Sequence, residues 1–236
     1  MAEQITQVSV PRDERIRWWD LLVAFFGGNL LGVVLAFLAG IAAVLIAMLY
    51  GFHPTAGNLS RTFRENFWAN QVAIVLSDLG FLAGIWLVAR RRIERPTGRY
   101  FTPVSLRNMV LAAASGILLS ILLNGGNELL ERAFHLAFKE TDIERVLEPH
   151  SPAQLVVALG AIALFAPFVE EYFFRGLFFD WVKRWGGSWI ATAITAAAFA
   201  IAHGHFYVHP GAQGWIYTAE LFVAGIVLAQ WVARSG

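Results

Sequence analysis

The chain has 236 residues, 57% of them hydrophobic and 15% charged, with a net charge of +1. Ordinary soluble domains carry about 25% charged residues, so this composition excludes one, and a net charge so near zero gives no footprint for a nucleic-acid partner. There is no cysteine, which excludes disulfides, thiolate zinc sites and a cysteine nucleophile. The expected fold class is an all-α polytopic transmembrane helix bundle with about six spans, and membrane lipids are its first partners.

Residues 1–17 form a polar tail with Arg12, Arg15 and Arg17, and the apolar run that follows is too long for a signal-peptide core. The first span, Leu21 to Tyr50, is uncharged. As a helix it is about 45 Å long against roughly 30 Å of hydrocarbon, so it tilts, bends or projects. Gly27, Gly28 and Gly32 read as a face for close packing. A loop from Gly51 to Asn66 carries His53, Pro54, Arg61 and Arg64, and Phe67 to Ala89 forms a second span interrupted by Asp78. Asp78 reads either as lining a cavity or as a structural hydrogen-bond partner. Arg90, Arg91, Arg92, Arg95 and Arg99 make the most basic loop, and short basic loops stay cytoplasmic. This places the amino terminus inside.

The third span runs from Met109 to Leu123 and is broken by Asn124-Gly125-Gly126-Asn127; Glu128 to His150 follows with amphipathic spacing, as a segment lying on the membrane surface. Ser151-Pro152 marks the next helix start. The fourth span begins at Ala153 and passes Asp180 to Lys183-Arg184. Trp181, Trp185 and Trp189 gather around Gly186-Gly187 as an interfacial belt. The fifth span returns to His203, with His205 and His209 beyond it, and the sixth, Gly214 to Val232, carries Glu220. This gives a tail (1–17), an N-terminal set of helices with an amphipathic segment (18–150) and a C-terminal core (151–236).

Charge inside the fourth span needs an explanation, since an acid or arginine at the centre of a membrane helix costs about 2.5–3.5 kcal/mol even on the lenient scale. Glu171 and Arg175 are spaced i, i+4, within ion-pair reach on one face. Glu170, about 100° round the helix, is left without a partner in its own segment. Glu170 lies 16 residues before Gly186 and His203 lies 16 residues after Gly187. In a helical hairpin both therefore sit roughly 24 Å from the turn, where an acid and an imidazole can share a water. His205 and His209 fall outside the helical phase of Phe199 and His203 and read as solvated loop residues. The three histidines invite zinc, though not at His-Glu-x-x-His spacing; Glu170 and His203 are the candidate ligands. Phe173, Phe174, Phe178 and Phe179 read as packing rather than as a substrate groove. Glu220 is a further acid that can pair with a histidine or with Arg175.

Glu170-Glu171-x-x-x-Arg175 followed by Phe199-x-x-x-His203 resembles the CAAX protease and bacteriocin-processing (CPBP, or Abi) family of intramembrane proteases. Phe222-x-x-Gly225 is similar to the family's next helix, so the resemblance covers about Ala153 to Gly236. It implies a membrane-embedded endopeptidase of a bacterial inner membrane, with residues 151–236 as its core. Glu170 and His203 would activate a water against a peptide carbonyl, with Glu171 and Arg175 supporting them and Phe199 and Glu220 beside them. Some family members are described as metalloproteases; the preferred mechanism requires no cofactor, with zinc as the alternative. The implied substrate is a peptide or protein in or near the membrane, prenylated in eukaryotic relatives. The family's later His-x-x-x-Asn motif has no counterpart up to Gly236, so the sequence is expected to be part of a longer gene, the alternatives being that His205 or His209 substitutes or that the chain is a non-catalytic relative. The rival readings are a non-catalytic immunity or scaffold protein of the same fold, and a proton or ion transporter using Asp78, Glu170, Glu171, Arg175, His203 and Glu220. Sensitivity to Asp78 replacement would mark the transporter.

Overall fold

A computed structural model describes residues 16–51, 55, 65–92, 106–136, 138, 141–209 and 211–235. Most of the tail, the loop bearing His53, Pro54, Arg61 and Arg64, and the basic stretch with Arg95 and Arg99 lie outside the described residues. Among the described residues all regular structure is helical: α1 (Trp18–Leu49), α2 (Phe67–Arg92), α3 (Leu106–Phe134), α4 (Asp142–Leu147), α5 (152–186), α6 (188–202), α7 (His205–Val208) and α8 (Ala212–Ser235).

Among the described residues, four helical stretches are long and apolar enough to cross a membrane: Trp18–Leu49, Phe67–Arg90, Pro152–Val208 and Ala212–Trp231. The 57-residue stretch is far longer than any bilayer requires, and Gly187 divides it. Its φ of 74° and ψ of 179° lie outside helical space, in a region open to glycine alone. The expected fourth and fifth spans are thus the two arms α5 and α6. The expected third span lies inside α3, whose second half carries Asn124, Asn127, Glu128, Glu131 and Arg132. Asn124-Gly125-Gly126-Asn127 does not break that helix. Two interior glycines cost about 1 kcal/mol each, and the Asn124 amide turns back to donate to the Ser120 carbonyl at 2.8 Å instead of competing for an end. The chain leaves helical geometry at His135, with φ 51°. The expected surface helix is therefore divided between the end of α3 and the short α4, which starts on a Thr141/Glu144 capping box.

α1 and α2 are held together by glycine. Gly28 and Gly32 meet Gly80 and Gly84 across the interface. A Cβ on Gly28 would stand 2.9 Å from the Phe81 Cα, and one on Gly84 would stand 2.7 Å from the Gly28 Cα. The backbones touch, and dispersion between them replaces the hydrophobic drive that lipid removes. Gly27 takes no part; a Cβ there would meet only Val23 of its own helix. The other face of α2 packs along α5 between Pro152 and Glu171, and also against α4. Phe81 meets Phe173 with ring centroids 5.2 Å apart, in a buried core that includes Ile85, Val169, Tyr172, Phe174, Leu177 and Phe199. α8 lies on α6. Gly225 comes close to Ala196, and Gln230 donates to the Thr192 hydroxyl at 2.9 Å. At the turn between the arms Trp185 and Trp189 are exposed, while Trp181 packs on the core.

Candidate active site

α5 starts where Ser151 and Pro152 predict: the Ser151 hydroxyl accepts from the Gln154 N–H at 3.3 Å, with Pro152 in the first turn. Its middle, Ala166–Glu171, has ordinary helical pitch but lies between two wider π segments, Leu159–Phe165 and Tyr172–Phe178. Pro167 supplies no N–H to the turn before it, which suits the first widening, and π segments frequently mark functional sites. They set the facing of Glu170, Glu171 and Arg175.

The hairpin brings Glu170 and His203 together. His203 Nε2 lies 3.6 Å from Glu170 Oε1, and both side chains keep about a quarter of their surface exposed, at 26% and 27%. His203 Nδ1 is 2.8 Å from the Phe199 carbonyl oxygen. A carbonyl only accepts, so the proton of the neutral ring sits on Nδ1 and the lone pair of Nε2 is turned toward Glu170. A gap of 3.6 Å is too wide for a direct hydrogen bond. A water at the apex of a triangle, about 2.8 Å from each atom, bonds to both.

Around this pair the other expected residues take distinct places. Arg175 is buried, and its Nη1 is 3.3 Å from Glu171 Oε1, as the i, i+4 spacing predicts. The guanidinium lies over the Phe199 ring at 4.3 Å, a cation–π contact. The Phe199 ring in turn stands 4.4 Å from the His203 ring and edge-on to Phe174. Phe199 therefore separates the buried cation from the imidazole while touching both. Among the described residues Glu220 pairs with neither a histidine nor Arg175; its carboxylate is hydrogen-bonded by the Asn127 side chain of α3.

One reading needs correction. His205 and His209 are not solvated loop residues. His209 is 2% exposed, its Nε2 is 3.4 Å from Glu144 Oε1, and its Nδ1 is 3.1 Å from the Gln213 amide nitrogen. His205 opens α7 and stacks between His203 and His209, at 6.3 and 5.3 Å. The signal was the spacing from His205 to His209, which is one helical turn. Phe173, Phe174 and Phe179 are core residues, as expected, and Phe173 and Phe174 with Phe178 also line an apolar groove of about 440 Å³ that α1 closes with Trp18, Leu21 and Phe25. Asp78, read as lining a cavity or as a structural partner, lies on α2, which packs on the stretch of α5 that carries Glu170. As a lone acid within an apolar span it carried its own signal, but nothing in the sequence said which helix α2 would face.

Among the described residues no three histidine, aspartate or glutamate side chains are gathered to hold an ion. Glu170 and His203 fall one short of the three protein ligands that catalytic zinc takes.

A carboxyl group and an imidazole thus face one another across the hairpin, with the buried Arg175 on the far side of Phe199. Residues 152–236 match the family model described as type II CAAX prenyl endopeptidase Rce1-like, in agreement with the CAAX-protease resemblance of the sequence. No curated protein and no solved structure matches the chain. The matched region contains Glu170, Glu171, Arg175, Phe199, His203 and Glu220; α1, α2 and α3 lie outside it.

Proposed function

We propose that the chain is an intramembrane endopeptidase of the CAAX type, in which Glu170 and His203 together activate a water against a peptide carbonyl. The observation that carries this reading is the 3.6 Å approach of His203 Nε2 to Glu170 Oε1, with the imidazole proton held away on the Phe199 carbonyl. The bound water gives a proton to the pair as its oxygen attacks, and the pair returns that proton to the leaving amine as the C–N bond breaks. General acid–base catalysis by such groups is worth about 10²–10⁴-fold. Glu171 and Arg175 keep the second acid occupied, and Phe199 fixes the ring plane of His203.

The groove lined by Phe173, Phe174 and Phe178 supports an isoprenoid chain as the substrate's anchor, because Phe174 also packs on Phe199 beside the catalytic pair. The test is cleavage of an internally quenched CAAX peptide, with and without a farnesyl group, by the chain purified in detergent. The expected result is cleavage of the farnesylated peptide that resists chelators and is lost in Glu170→Ala and His203→Ala. Cleavage that survives both substitutions would overturn the reading.

A further inference from the structure

The α2 side of the site holds polar atoms that the fold leaves unpaired. Gln71 is 2% exposed, and neither its Nε2 nor its Oε1 has a hydrogen-bond partner; Asp78 Oδ2 is likewise buried without a hydrogen bond. Buried polar atoms in native proteins are nearly always paired, so three on one helix point to a partner that the described residues do not supply.

Their placement says what it is. Gln71 and Asp78 are seven residues apart, about 20° from alignment on one helical face, and roughly 100° to 180° from Ser77, Gly80 and Gly84, which meet α1. This face turns toward α5, whose stretch Ala166–Glu171 packs on α2 and carries Glu170. The two residues are separated by about 10 Å along α2, the length of about three residues of extended peptide. An extended peptide in an apolar seam must pair each N–H and C=O. A carboxamide offers one donor and one acceptor side by side, and both of those atoms are unpaired on Gln71.

We propose that the α2–α5 seam binds the substrate's extended backbone, with Gln71 pairing to a main-chain N–H and C=O about three residues from the bond presented to Glu170 and His203. The proposal rests on the peptidase reading for the identity of its ligand and adds a subsite on a helix outside the family match. Gln71 is buried in this structure, so the peptide enters by displacing α4, which packs on α2 and is tied across to His209 by Glu144.

The experiment compares wild type with Gln71→Leu, which keeps the size and removes both polar atoms. Two quantities are read in detergent: the Tm of the free protein, and the Kd of a fluorescent, non-hydrolysable farnesylated CAAX peptide by anisotropy. The expected result is a Tm unchanged or raised, because an unpaired amide is costly to bury, with binding weakened about 10-fold. An unchanged Kd overturns the proposal. So does a weaker Kd accompanied by a lower Tm, since the amide would then be supporting the fold, and so does a wild type that does not bind the peptide. Wild type that binds through Gln71 yet never cleaves the hydrolysable peptide removes the peptidase reading and leaves the cleft.

Discussion

The two faces of α2 solve the problem of helix contact in lipid in opposite ways. Toward α1 it presents Gly80 and Gly84, so close to Gly28 and Gly32 that no side chain fits between the backbones and no polar group is involved. Toward α5 it presents Gln71 and Asp78, whose amide atoms and Oδ2 stay without a hydrogen bond on the side that packs on the stretch carrying Glu170. A helix that only needs to pack can do so with glycines. Polar groups with no partner are costly to bury, and they persist on one face alone, the face at the candidate site.

Substitutions on each side separate these roles. Gly80→Val puts branched carbon into the Gly32 backbone; it should cost about 3 kcal/mol, the upper end of overpacking, and show as a lower Tm or lost expression with no specific change in KM. Arg175→Met strands Glu171. The loss should be about 2 kcal/mol, less than the 3–5 kcal/mol of a fully buried pair, because Glu171 keeps 33% of its side chain exposed; thermal unfolding in detergent checks it. Asp78→Asn keeps the shape and removes a charge from the side of α2 that packs on the stretch carrying Glu170. It should lower kcat/KM about 10-fold, or ~1.4 kcal/mol, with Tm nearly unchanged. Glu144→Gln weakens the tie to His209 and should speed peptide association about 3-fold, less than ~1 kcal/mol, in stopped-flow anisotropy while the glycine interface stays intact. If Asp78→Asn acted like Gly80→Val, on stability alone, the two faces would be alike and the contrast would fail.

What the sequence allowed one to read follows the same division. Glu170, Glu171, Arg175, Phe199 and His203 were legible because helical phase and a symmetric count from Gly186-Gly187 are local arithmetic, and the hairpin preserves it. Gly28 and Gly32 were legible as a packing face, but their partners Gly80 and Gly84 were not, since pairing between helices leaves no mark on either alone. For the same reason Asp78 stayed ambiguous and Gln71 passed unnoticed. With Asp78 on the side of α2 that packs on the stretch carrying Glu170, its replacement no longer separates an ion path from hydrolysis. Asn124-Gly125-Gly126-Asn127 misled because turn-forming residues lose to a long helix whose neighbours supply the hydrogen bonds. His209 misled because it falls outside the helical phase of Phe199 and His203, which suggested a solvated loop, whereas it is buried and meets Glu144 from a distant helix.

The most direct test of the central claim is a double-mutant cycle on peptide cleavage with Glu170→Gln, His203→Gln and the pair, each protein first shown to keep its Tm. If the two side chains act on one water, each single change should lower kcat by about 10³-fold, and the double change should cost little more than either alone. Losses that multiply, or a single change that leaves kcat intact, would contradict the account.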